Sequence, residues 1–245
     1  MGGLGNRIEL GVPTEYGFAL PRIRHQLASA YLTEPVDALL DFGCGNGANS
    51  VLFAEDARKV VGIDVVPAHI EAARDYAVKH GLGNVSYLCY DGGMLPFDDL
   101  SFDYVICFEV LEHTADDAAA LAEIRRVMRP GATITLSVPN KWYLMETHGF
   151  DWKPSWVKWN RVPLLSWLPT SLHERGAKAR IYTRRRILSL LERSGFEVLE
   201  ARYLMPPFDK VNRPRPQAAL RATFDLISRS PLRVIGVSHV ITARS

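Results

Sequence analysis

The sequence predicts an α/β fold built on a doubly wound, largely parallel sheet, and three observations carry this. Short apolar, β-branched runs alternate with helical segments from Val36 to Val138, the rhythm of a parallel sheet covered by helices on both faces. The first run, Val36–Phe42, opens directly into a glycine-rich turn, Gly43-Cys44-Gly45-Asn46-Gly47. Acids close three successive runs, namely Asp41, Asp64 and Asp91, and the carboxyl ends of strands are where open α/β sheets bind ligands.

Each element has its own local reason. Pro21 to Leu32 reads as one amphipathic helix with Ile23, Leu27, Ala30 and Tyr31 on a stripe. Val36–Phe42 is the first strand, and Asn49–Glu55 begins a helix behind the glycine turn. Lys59–Ile63 is a buried parallel strand. Pro67 suits the first turn of the next helix, which Gly81 ends. Val85–Tyr90 and Phe102–Phe108 are the third and fourth strands. Ala115–Met128 is a helix with Leu121, Ile124, Val127 and Met128 on one face; Pro130-Gly131 stops it, and Ala132–Val138 is the fifth strand.

The rhythm breaks over 139–182, a stretch holding all five tryptophans: Trp142, Trp152, Trp156, Trp159 and Trp167. Helical patterning resumes at Thr183, an N-cap, with Ile187, Leu190 and Leu191 as the buried stripe and Gly195 as the stop. Phe196–Leu204 is the sixth strand. A linker with Pro206, Pro207, Pro214 and Pro216 follows, then a helix near Gln217–Ser228 and a last strand near Val234–Ala243. The expected organisation is one domain over 1–245: a core over 36–138, an inserted lid over 139–182, and a C-terminal part of the sheet over 183–245.

Composition narrows the function classes. With 47% hydrophobic and 23% charged residues, the chain reads as an ordinary globular protein. A net charge of +2 is too small to point to nucleic acid, so no nucleic-acid partner is expected. The cysteines, Cys44, Cys89 and Cys107, are odd in number and lack metal-like spacing. With no apolar signal core near Met1, they indicate free thiols in a cytoplasmic protein. No run of about 18 apolar residues suggests a transmembrane span, while contact with a membrane surface stays open. Nothing in the sequence speaks to oligomeric state.

The glycines let the backbone approach a ligand closely and adopt positive φ. Gly43, Gly45 and Ala48 also fit a dinucleotide fingerprint, so the turn alone does not choose a cofactor. Asp41, at the mouth of the turn, would repel a pyrophosphate but suits an ammonium. Asp64, about twenty residues past the glycines, is placed to grip ribose hydroxyls in either case. Asp91 precedes Gly92, where a carboxylate can accept a hydrogen bond from an adenine amino group.

Together these residues resemble the class I S-adenosylmethionine (SAM)-dependent methyltransferases. Asp41-x-Gly43-x-Gly45-x-Gly47 looks like the family's first motif, Asp64 like its ribose acid, and Cys89-Tyr90-Asp91 like its adenine-side motif. Leu95-Pro96-Phe97, Ser101-Phe102-Asp103-Tyr104-Val105, Glu109-Val110-Leu111-Glu112-His113 and Met128-Arg129-Pro130-Gly131-Ala132 are similar to the small-molecule group that includes the ubiquinone and menaquinone biosynthesis enzymes. The resemblance implies a Rossmann-like seven-stranded sheet whose last strand is antiparallel. It also implies SAM as cofactor, with Asp41, Gly43, Cys44, Gly45, Gly47, Asp64, Val65, Asp91, Gly92 and Glu109 at the cofactor.

Methyl transfer from a sulfonium asks chiefly for alignment and exclusion of water, and a hydroxyl acceptor also needs a base. His113, after the fourth strand, and His148 and Glu146, after the fifth, are the candidate bases. Set against this, His113 also reads as an ordinary helix-capping or buried histidine. No metal is expected, since His148, His173 and Glu146 match no ligand spacing. The tryptophans read either as the lid's own core or, for Trp152, Trp156 and Trp159 with Leu164-Leu165, as the wall of an apolar acceptor pocket or a bilayer contact. The lid's basic residues (Lys153, Lys158, Arg161, Arg175, Lys178, Arg180) read as a solvated face or as partners for anionic lipid. The expected activity is methyl transfer to a small, apolar or lipid-like acceptor. The alternatives are a nicotinamide-dependent oxidoreductase and a non-catalytic SAM-binding protein.

Overall fold

Seven strands pair into one sheet in the order β3-β2-β1-β4-β5-β7-β6 in the computed structural model, which describes residues 9–151 and 162–245. The strands are β1 (Val36–Phe42), β2 (Ala57–Asp64), β3 (Val85–Cys89), β4 (Phe102–Phe108), β5 (Met128–Pro139), β6 (Glu197–Leu204) and β7 (Ser238–Arg244). β1 to β5 are mutually parallel, and β7 runs antiparallel to both β5 and β6. The seven-stranded sheet with its last strand reversed is therefore observed as expected.

Alternation along each strand sends successive side chains to opposite faces, and both faces are covered. Leu40, Phe42, Val61, Ile63, Val105, Cys107, Ile134 and Leu136 meet α3 (Asp117–Val127) and α5 (Arg184–Arg193) on one side. Leu39, Val60, Tyr104 and Ile106 meet Ala28 of α1 (Ala19–Ser29) and Ile70, Ala73 and Ala77 of α2 (Pro67–Lys79) on the other. Asp116 caps α3 by accepting from Ala118 N–H and Ala119 N–H, and Thr183 caps α5 through Arg186 N–H. One polar chain crosses the second face: Tyr104 Oη donates to the Ala28 carbonyl at 2.8 Å and lies 2.6 Å from Thr135 Oγ1, which lies 3.0 Å from Thr242 Oγ1.

Several expectations need correction. The helix expected over Asn49–Glu55 is a single 3-10 turn, Ser50–Phe53. The link between β1 and β2 is short, and its start is taken up by the turn that holds Gly47, so one turn is all that fits. Pro214 and Pro216 do not belong to a linker; they occupy the first turn of α6 (Pro214–Ser228), where a missing N–H is harmless. The last strand starts later than expected, because Pro231–Ile235 is a 3-10 turn.

Residues 140–182 leave and rejoin the sheet at one point. Lys141 N–H donates to the Tyr182 carbonyl, and Tyr182 N–H donates to the Pro139 carbonyl. Phe150, Leu165 and Ala177 form a small core there, beside α4 (Thr170–His173). Trp142 and Trp167 pack edge to face at 5.9 Å, and both remain well exposed. Trp152, Trp156, Trp159, Lys153, Lys158 and Arg161 lie outside the described residues. Among the described residues, no helix is long and apolar enough to cross a membrane.

Gly62, in the middle of β2, sits under the glycine turn. A Cβ there would lie 2.6 Å from Tyr87 Cδ1 and 2.9 Å from Cys44 Cβ. Gly62→Ala should therefore lower stability by about 1–3 kcal/mol through overpacking, read as a shift in the urea midpoint with an unchanged slope. An unchanged midpoint would mean that the Tyr87 ring can move aside.

Candidate active site

The order of strands reverses between β1 and β4, and a cavity of about 680 Å³ opens at their carboxyl ends. That is where such sheets bind ligands, and the volume is in the range of small-molecule pockets. The turn after β1 forms one wall. Gly43 N–H and Cys44 N–H donate to the Ile63 carbonyl at 2.9 and 2.8 Å, and Gly45 N–H donates to Asp64 Oδ2 at 2.9 Å. The turn requires glycine. Gly43 and Gly47 have φ of 74° and 85°, and an added Cβ would come 2.5 Å from Val110 Cγ2 at the first and 2.5 Å from Tyr87 Oη at the second.

Asp64 is anchored at both oxygens, since Oδ1 accepts from Val66 N–H at 2.9 Å and lies 3.4 Å from His69 Nδ1. A carboxylate has about four acceptor positions, so it can take a ligand's hydroxyls while still holding the turn. Val65, Gly92, Cys44 and Glu109 also line the cavity. Asp41 does not. It is buried and accepts from Ser50 Oγ at 2.5 Å, and burial pushes its carboxyl up to about 7. It braces the turn from behind. Asp91 is exposed, and its Oδ1 accepts from Gly93 N–H at 2.9 Å, so the cavity is lined by Gly92 and Gly93 rather than by the acid.

A group of charges gathers beside the turn. Glu109, at the end of β4, has φ of 57°, a conformation that costs a non-glycine residue about 1–3 kcal/mol and tends to mark functional sites. Its Oε1 is 3.5 Å from Arg24 Nη2 and its Oε2 is 3.7 Å from His148 Nε2. Arg24, on α1, is buried against the Phe108 ring and lines the cavity; its Nε has no hydrogen-bond partner. Glu112 is fully buried behind His148, with Oε1 3.4 Å from Nε2. Burial and the neighbouring Glu109 raise the Glu112 carboxyl. Burial lowers His148, but Glu112 and Glu109 outweigh it and leave the imidazole raised. His113 packs edge-on to His148 with ring centroids 5.1 Å apart, and burial together with His148 lowers it to about 4.

Of the candidate bases, His113 and His148 therefore stand together at the cavity wall, and Glu146 stands apart from it. Glu146 is buried, with Oε2 2.7 Å from His173 Nε2 and Oε1 accepting from Thr147 N–H and His148 N–H. It sets the backbone that carries His148. Among the described residues, Thr147 and His148 are the segment's contribution to the cavity; Leu165 is in its small core and Leu164 is exposed. Among the described residues, Leu10, Val12, Pro13 and Leu20 contribute to the cavity's apolar wall. Sequence reading missed these, Arg24 and Glu112, because none stands in a glycine or acid pattern. Only the Glu109-to-His113 string hinted at Glu112.

Residues 40–136 match the methyltransferase domain family. That match spans the glycine turn, Asp64 and β1 to β5 up to residue 136, in line with the resemblance to SAM-dependent methyltransferases read from the sequence. Over 139 residues the chain is 33% identical to a ubiquinone biosynthesis O-methyltransferase of Cereibacter sphaeroides, covering 56% of this chain and 51% of that protein. Over 103 residues it is 32% identical to the Coxiella burnetii protein of the same name, covering 42% and 44%. The chain thus spans about half the length of these curated relatives. A SAM-dependent methyltransferase from Mesorhizobium loti superposes with a TM-score of 0.62 at 20% identity, over 90% of this chain and 96% of that one. The [4+2]-cyclase SpnF gives 0.63 at 21% identity, over 98% and 85%. At such identities these two structures show the fold alone. SAM is the cofactor these matches indicate, and the geometry fits it: a close-approach glycine turn, an anchored acid with acceptor positions to spare, and a buried guanidinium beside a carboxylate.

Removing the Asp64 carboxylate should loosen both ligand and turn. Asp64→Ala should weaken binding of S-adenosylhomocysteine by about 1.5–3 kcal/mol, measured by calorimetry, and should also lower the melting temperature. Undiminished affinity would exclude Asp64 from the cofactor site.

Proposed function

We propose that the chain is one domain with an inserted segment over 139–182, and that it transfers a methyl group from SAM to a small, apolar or lipid-like acceptor. The observation that supports this best is the shared cavity. The glycine turn and Asp64 stand on its wall together with Arg24, Glu109, His113 and His148, and Leu10, Val12 and Leu20 add apolar surface. When bound, the cofactor supplies a methyl on a positively charged sulfur, and its transfer is an in-line displacement.

This chain's residues then have three tasks. Gly45 and Asp64 hold the nucleoside part. Arg24 and Glu109, a cation beside an anion, match the carboxylate and ammonium of the methionine end. His148, steadied by Glu112 and Thr147, faces the acceptor and keeps its reactive atom in line. The names of the relatives refer to O-methylation, which supports a hydroxyl-bearing acceptor for this chain. Exposed Trp142, Leu164 and Trp167 support peripheral contact with a membrane surface when that acceptor is lipid-like. One cyclase shares the fold, so SAM binding without methyl transfer is the second reading.

Incubation with labelled SAM and a metabolite and lipid extract should give a labelled small product. Tight S-adenosylhomocysteine binding with no labelled product would favour the second reading. His148→Ala should reduce turnover by about 10²-fold or more with S-adenosylhomocysteine affinity unchanged. Arg24→Met should do the reverse, weakening that affinity by about tenfold or more. Full turnover in the His148 variant would move its role to His113.

A further inference from the structure

Ahead of α1, residues 9–18 run along the cavity without regular secondary structure, as a strap over the glycine turn. Pro13 Cβ and Cγ stand 3.1 Å from where a Cβ on Gly45 would lie, so the strap rests directly on the turn. Leu10, Val12 and Pro13 line the same cavity as Gly43, Gly45 and Asp64.

The strap is held near its two ends and hardly between them. At one end Glu9 N–H donates to the Lys178 carbonyl at 2.9 Å, and Glu9 Oε1 lies 3.0 Å from Lys178 Nζ. Towards the other, the Tyr16 ring stacks on Tyr76 of α2 with centroids 3.6 Å apart and planes 3° apart. Tyr16 Oη also donates to the Asn46 carbonyl, and Asn46 Nδ2 donates to the Thr14 carbonyl at 3.2 Å. Among the described residues, no backbone–backbone hydrogen bond involves residues 10–14. Leu10 is 60% exposed and Val12 94%, so burial of apolar surface does little to hold the strap down. Segments of this kind, with few buried apolar contacts and few backbone hydrogen bonds, open at low free energy.

A hinge stands behind the latch. Gly17 has φ of 83° and no atom within 4 Å of where its Cβ would lie, and glycine moves in and out of such conformations freely. Beyond it, α1 is fixed independently of the strap. Asp209 accepts from Ala19 N–H at 3.0 Å and from Leu20 N–H at 3.1 Å. The strap is thus free to swing at Gly17 while α1, with Leu20 and Arg24, keeps its place.

We propose that residues 9–17 gate cofactor exchange: the strap lifts from the glycine turn to admit or release the ligand, and the Tyr16–Tyr76 stack latches it shut. The gate rests on the cofactor assignment and is independent of the acceptor. It has a kinetic signature that a simple contact lacks. Loss of a contact raises the dissociation rate alone. Loss of a latch raises association and dissociation together, because both pass through the open form.

The test follows labelled S-adenosylhomocysteine on the full chain by rapid mixing and filtration. Tyr76 is half-buried on α2 and does not line the cavity. Tyr76→Ala should raise both rates about three- to tenfold, the worth of one aromatic stack, with Kd within about twofold of the unaltered chain. Tyr76→Phe, which keeps the stack, should return both rates to their original values. Tyr16→Ala loosens the same latch from a segment without secondary structure and gives the same readout if Tyr76→Ala fails to fold. Unchanged rates, or a change confined to dissociation, would overturn the gate while leaving the cofactor assignment intact. Absence of binding to the unaltered chain would overturn both.

Discussion

One carboxylate joins the two halves of the cofactor wall. Asp64 ends β2, yet its oxygens hold the N–H of Gly45, from the turn after β1, and of Val66, at the start of α2. The turn has no long helix behind it, only the Ser50–Phe53 turn, so little other than hydrogen bonds keeps it in shape. Ile63 holds it through its carbonyl, Asp64 through its side chain, and Asp41 with Ser50 from behind. The sheet's register sets where these groups stand, because Asp41 pairs with Gly62 and Phe42 with Ile63. A fixed parallel pairing of β1 with β2 thus becomes a shaped ligand wall.

Across the cavity the constraint is charge. Arg24, Glu109, Glu112 and His148 form a compact group with two acids and two bases, all poorly hydrated. Isolated, any of these would be expensive to bury. Together they approach neutrality, and Glu109 stands among them on a backbone of positive φ.

The sheet was legible in the sequence because strand alternation, prolines and glycine stops are local signals. The reversed last strand came through family resemblance, and the strand order has no local signature in the sequence. At the site, Gly43, Gly45, Gly47 and Asp64 were legible because tight turns and strand ends restrict residue choice. His148 was picked out by its place after β5, while Glu146, two residues earlier, turned out to face His173 instead. Arg24 and Glu112 were not legible, since a buried charge is defined by neighbours far along the chain. The part of the apolar wall that Leu10, Val12 and Pro13 supply was not legible either, because they belong to a segment without periodicity.

That amino-terminal segment has a practical consequence. Pro13 stands 3.1 Å from where a Gly45 side chain would begin, Tyr16 stacks on Tyr76 at 3.6 Å, and the Glu9 carbonyl anchors His113. Asp209, from beyond β6, in turn receives Ala19 N–H and Leu20 N–H at the start of α1. A few residues ahead of α1 therefore touch the glycine turn, α2 and the histidine pair together. Disturbing this segment would reach several walls of the pocket at once, although it stands in none of the motifs.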